Sequence, residues 1–238
     1  MRIHAAGTLL DGDLTVPPDA AGMVLFTQNG PRDRAVAAAL HEVSLATLLI
    51  EPLTAPERGD DTRRFDVDLV ADRVIGTLRW LRAQPVTTYL PIGLFGAGVN
   101  AAAALVAAAA RPGDVQTVVT RGGRVDLAGG ALAQLMAPAL FIVGERDQRL
   151  RLLNEESRQA ARSHADMCVI PGADRFFSGT QALRQVTVQA ADWFRIHLAA
   201  PVPQRPPEID TALPVEHSSL IDMFPAPSTT QERCPDDA

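Results

Sequence analysis

Six apolar stretches of strand length recur along this chain, spaced so that a helix fits between most neighbours: MVLFT (23–27), LATLLIEP (45–52), PIGLF (91–95), VQTVVT (115–120), ALFIVG (139–144) and DMCVIPG (166–172). They are largely continuous runs rather than polar–apolar alternations, which is the pattern of strands covered on both faces. Helix-period segments lie between them. One runs from about Arg32 to Val43 with Val36, Leu40 and Val43 on one face. A second, from about Phe65 to Ala83, places Val67, Val70, Val74, Leu78 and Leu81 at helical spacing. Further helices are expected at about Val99–Arg111, Asp126–Leu135, Asn154–Ser163 and Thr180–His197, and ERGDDTRR reads as a charged loop. At the N-terminus, AGTLLDGDLTV (6–16) reads as two short strands around Asp11-Gly12, a hairpin signal. The fold class that follows is α/β: a mostly parallel central sheet with an N-terminal β-hairpin and helices on both faces. Ligands of such sheets gather at the carboxyl ends of the strands. That singles out the loops after residues 27, 52, 97, 121, 145 and 172.

The bulk numbers exclude several function classes. A net charge of −6 argues against non-specific nucleic-acid binding, which needs a basic face to displace counterions from phosphate. All 22 basic residues are arginine, which is read as codon bias together with the alanine excess. Cys168 and Cys234 are far apart and form no C-x-x-C pair, and no two histidines have H-x-x-x-H spacing. No disulfide framework, metal site or cofactor is therefore expected. With no signal-peptide pattern and no apolar run of membrane length, the expected location is the cytoplasm, with no membrane contact.

Residues 1–200 read as one domain and 201–238 as an extended tail, with eight prolines among its 38 residues. Within the tail, SSLIDMFPAP (218–227) carries Leu220, Ile221, Met223 and Phe224. That patch reads equally as a docking motif for a protein partner or as a segment that packs back on its own domain.

The stretch IGLFGAGVNAAAAL (92–105) bears most on function. An apolar strand enters a small-residue turn and leaves it directly as a helix, the layout of a nucleophile elbow. Gly96, Ala97 and Gly98 meet the steric demand of that turn, but its tip, Gly98, has no side chain to attack with. Asn100, where such turns often carry a second glycine, is bulkier.

Taken with LLDGDLTVPPDAAGMVLF, RFDVDLVADRV, RGGRVDLAG, FIVGERD and VIPGADRFF, this stretch resembles the dienelactone hydrolase-like branch of the α/β-hydrolases over roughly residues 6 to 198. The resemblance implies the α/β-hydrolase fold and a nucleophile–acid–histidine order. The nucleophile then falls on Gly98, the acid on Asp147 and the histidine on Arg175. The oxyanion loop falls on TQNGPRD, where Gln28 and Asn29 replace its histidine and glycine. Glycine offers nothing to attack a carbonyl, and arginine does not accept a proton near neutral pH. Loss of hydrolytic chemistry through this triad is the expectation.

Two fates are then open to Arg175. It pairs with Asp147 and closes the old site, or it points into the pocket and, with the Val99 amide at a helix N-terminus, binds an anion. The candidate ligand-binding residues are Gln28, Asn29, Gly98, Val99 and Arg175. Three functions remain: an inactive homologue acting through a protein partner, a small-anion binding module, and an esterase or lactone hydrolase working through other residues.

Overall fold

The computed structural model describes residues 1–198; the 201–238 tail, its apolar patch and Cys234 lie outside them. Eight strands form one sheet: β1 (Arg2–Ala5), β2 (Thr8–Thr15), β3 (Gly22–Phe26), β4 (Leu45–Glu51), β5 (Ile92–Ala97), β6 (Val115–Arg121), β7 (Ala139–Gly144) and β8 (Ala165–Ile170), in the spatial order β1-β2-β4-β3-β5-β6-β7-β8. The β1–β2 and β2–β4 pairings are antiparallel and the others parallel. The mostly parallel sheet with its N-terminal hairpin is thus present.

Each central strand feeds two cores because successive side chains point to opposite faces. In β3, Met23 and Leu25 join the core that contains Val70, Val74 and Leu78, whereas Val24 and Phe26 join the one containing Val36, Leu40 and Phe194. The first core packs under α4 (Val67–Arg82) and α5 (Asn100–Ala110), the second under α1 (Pro31–His41) and α7 (Thr180–His197). Continuous apolar runs were the only solution for strands that must satisfy both. Among the described residues no helix is long and apolar enough to cross a membrane.

Four local expectations need correction. The hairpin turns at Ala6-Gly7, with φ of 46° and 73°, and Asp11-Gly12 lies inside β2. Gly12 is there for packing: a Cβ would stand 2.4 Å from Ile3 Cδ1. The ERGDDTRR loop forms two single helical turns, α2 (Ala55–Arg58) and α3 (Asp61–Arg64). Glu57 of α2 ties them to α4 by receiving Arg73 Nη1 and Nη2 on its two oxygens, each at 2.7 Å, while Arg73 Nη1 also donates to the Pro52 carbonyl. Residues Val125–Gln134 form a 3-10 helix broken at Gly129 (φ 52°, ψ −129°). Finally, α6 (Gln148–Ala160) begins six residues before the expected Asn154, because Asp147 Oδ1 accepts the Leu150 N–H at 3.0 Å and caps it.

Candidate functional site

The turn between β5 and α5 keeps the geometry of an elbow without its reactive group. Gly98 has φ +58°, a left-handed conformation, and a Cβ built there would meet nothing within 4 Å. A side chain at this position would therefore project freely above the sheet. Gly96 is required for the crossing itself, since a Cβ would come within 2.8 Å of Ala101 Cα and 2.9 Å of the Asn100 carbonyl. The Gly98 carbonyl accepts the Arg124 N–H at 2.8 Å, which fixes the turn from the β6 side. Asn100 has a task that its bulk as a turn residue concealed. Its Nδ2 donates to the Thr27 carbonyl at 3.0 Å, clasping the loop after β3 to the start of α5.

The segment after β8 brings Arg175, where the resemblance places the family's histidine, to the same cavity as Gly98. Gly144 and Gly122 admit it at close quarters: a Cβ on Gly144 would lie 2.5 Å from the Asp174 carbonyl, and one on Gly122 2.7 Å from the Arg175 carbonyl. Asp174 winds the turn by accepting the N–H groups of Phe176 and Ser178 on Oδ1, each at 3.0 Å. Those bonds, the Ser178 N–H first, hold its carboxyl below the usual range. Ser178 is thereby used by its backbone, and the cap position of α7 is Gly179, without a side-chain cap. Phe177 is buried at φ 54° and anchors the turn, while Arg175 and Phe176 just before it are exposed.

Arg175 makes neither an ion pair nor a hydrogen bond with Asp147 among the described residues, so the closed, paired arrangement is not the one present. Its guanidinium instead lies 5.8 Å from the Phe176 ring centroid and lines a cavity of about 310 Å³ above the elbow. The same cavity is lined by Gln28, Arg32, Gly98, Val99 and Arg121.

The electrostatics of this space are one-sided. Arg121 ends β6 beside Ala97, its side chain only 7% exposed, and Nη2 donates to Asp33 Oδ1 at 2.9 Å. Its other terminal nitrogen, Nη1, is buried with no acceptor. Burial works against the charged guanidinium; Asp33 opposes that effect, and the nearby charge of Arg32 adds to it. Asp33 is itself committed, accepting Gln28 Nε2 at 2.9 Å and the Gly30 N–H at 3.1 Å on its second oxygen.

Of the residues expected to bind a ligand, Gln28, Gly98, Val99 and Arg175 surround this one cavity. Asn29 does not line it: its Oδ1 accepts Arg34 Nε at 2.8 Å. Asp147 borders an adjoining space instead. Arg32 and Arg121 were missed. Arg121 had a legible signal, a charge closing the apolar run VQTVVT on the strand end where ligands collect. Cys168 is half-buried on edge strand β8, where burial pushes its thiol pKa up. No group of three or more His, Cys, Asp or Glu side chains converges among the described residues.

No protein-family model matches the sequence. A Mycobacterium tuberculosis protein that carries a provisional phosphoribosyl transferase name is 42% identical over 209 residues, covering 85% of this chain and 47% of that protein. The chain thus spans about half the length of the curated relatives it matches. Among solved structures, an α/β serine hydrolase without a lid from Xanthomonas campestris shares the fold at TM-score 0.66 and 18% identity, over 84% of this chain and 94% of its own. The crystal structure of a dienelactone hydrolase from Anabaena variabilis matches at TM-score 0.80 and 40% identity, over 83% of this chain and 96% of its own. With two chains alike in sequence and in backbone over nearly the whole of one of them, this chain belongs to the dienelactone hydrolase family of α/β-hydrolases.

Proposed function

We propose that this chain is a non-hydrolytic member of its family, and that it binds a small anion in the cavity where an elbow nucleophile would act. The observation that carries the reading is the cavity itself: three arginines, Arg32, Arg121 and Arg175, line it together with Gly98, the tip of the turn. No group there attacks a carbonyl, and none cycles a proton at neutral pH. The same surroundings suit a carboxylate or phosphate. The N-terminus of α5 adds the partial positive charge of its unpaired amides, with Val99 facing the space. An anion there would also ease the repulsion between Arg32 and Arg121. Phosphate esters head the list of ligands, because the mycobacterial relative's name refers to phosphoribosyl chemistry.

Thermal denaturation with a panel of phosphate and carboxylate anions tests the binding. A ligand at a hundred times its Kd should stabilise the fold by about 2.7 kcal/mol. Arg175→Ala should erase that shift. Aryl ester and lactone turnover tests the other half, with wild type expected to be silent and the double variant Gly98→Ser, Arg175→His expected to gain activity. Turnover by the wild type, lost on Asp147→Asn, would restore a hydrolase acting through other residues.

A further inference from the structure

The anion reading leaves Asp147 unused. Its Oδ1 caps α6 through Leu150, while the other carboxylate oxygen has no partner among the described residues. It borders a second space, of about 140 Å³, whose lining includes Arg124, Arg149 and Arg175. Arg175 lines both spaces, so the two adjoin at this residue. Arg124 is taken up by Asp126, its Nε and Nη2 both donating to that carboxylate.

A site with these two ends selects a particular chemistry. The larger end offers cations: Arg32 and Arg175 without ion-pair partners among the described residues, and Arg121, more than nine-tenths buried, with its Nη1 unmatched. The smaller end adds Arg149, also without an ion-pair partner among the described residues, and one acceptor, the open oxygen of Asp147. That oxygen accepts from neutral donors, of which hydroxyls are the commonest in small anionic molecules. Gly98 and Asp147 follow β5 and β7, strands separated only by β6 and hence by roughly 10 Å. A pentose phosphate covers that span once a hydrogen bond is added at each end.

We propose that the two spaces form one site for a phosphorylated sugar, with the phosphate above Gly98 against Arg175 and the Val99 N–H and the hydroxyls on Asp147. This rests on the anion reading of the larger cavity.

Titration calorimetry of the full chain with ribose 5-phosphate and methyl phosphate tests it, since the two monoesters carry similar charge and differ in hydroxyls. Ribose 5-phosphate should bind the wild type about tenfold more tightly, the worth of one charge-assisted hydrogen bond. Asp147→Asn, which keeps an oxygen to cap α6, should bring the two affinities close together. Arg175→Ala should weaken both. Equal affinities in the wild type, which needs no variant to fold, overturn the sugar assignment, as does an unchanged ratio in Asp147→Asn. In either of those cases, methyl phosphate binding that depends on Arg175 leaves the anion reading standing. Absence of binding by both esters overturns the two together.

Discussion

Two arginines of this molecule are buried to the same degree and serve opposite ends. Arg73 on α4 and Arg121 at the end of β6 have side chains only 6% and 7% exposed, and each faces one carboxylate. Arg73 is closed: both terminal nitrogens meet Glu57, one also meets the Pro52 carbonyl, and only Nε lacks an acceptor. Arg121 is poised: a single hydrogen bond to Asp33, one whole terminal nitrogen unmatched, a like charge nearby in Arg32, and a place in the lining of the cavity. A buried donor left without an acceptor costs roughly 1–3 kcal/mol, so a fold that keeps one invites a reason. At Arg73 the geometry serves the fold, pinning α2 to α4. At Arg121 the unmatched donor belongs to a residue that also lines the cavity above the elbow.

The largest expected effects come from removing the two acids. Glu57→Ala leaves Arg73 buried without a counter-charge and should lower stability by about 3 kcal/mol or more in urea denaturation. Added phosphate should restore none of it, since Arg73 lines neither of the two spaces above the sheet. Asp33→Ala should cost about 2 kcal/mol in anion-free buffer. Millimolar phosphate should recover most of that loss by standing in for the carboxylate beside Arg121. If the two variants respond alike to phosphate, the distinction between the closed and the poised arginine fails.

Acid sharpens the same contrast. The Arg73 hydrogen bonds, opposed by burial and helped by Thr54, lower the Glu57 pKa from 4.5 to about 2. A group depressed in the folded state contributes stability that is fully present above its unfolded pKa and is lost as the pH falls through the folded one. The contribution of this pair should therefore fade between about pH 4.5 and about pH 2. Glu57→Gln should flatten the stability profile across that window, at a lower overall stability. A profile with the same slope in both proteins would show that other carboxylates carry the acid transition.

The sequence disclosed the fold more readily than the site, for a physical reason. Strand and helix periodicities are read from many residues at once, and a run such as ALFIVG admits few environments. Single residues with two uses mislead. Asp11-Gly12 has the composition of a turn, but Gly12 is a glycine because Ile3 lies across it. Asp147 was assigned as a triad acid, which hid its service as the cap that starts α6 early. The elbow was legible because its small residues are consecutive. The cavity's arginines were only half legible, because Arg32, Arg121 and Arg175 converge from α1, β6 and the segment after β8. Their approach is a property of strand order, and no spacing in the chain encodes it.

The smallest expected effect is that of Gly98→Ser, in an elbow where two glycines two residues apart are kept on different grounds. Gly96→Ala puts a methyl group against the backbone of Asn100 and Ala101, which cannot yield without moving α5, and should cost about 3 kcal/mol. Gly98→Ser meets open space and bears only the strain of a left-handed backbone, about 1 kcal/mol. Thermal denaturation of the two single variants measures the difference directly. A Gly98→Ser variant as unstable as Gly96→Ala would mean that the space above the turn is not free, and the anion site would lose its floor. The expected inequality means that the fold still tolerates a nucleophile at Gly98. What a serine there would lack is a base, since the neighbouring Arg175 does not accept a proton near neutral pH.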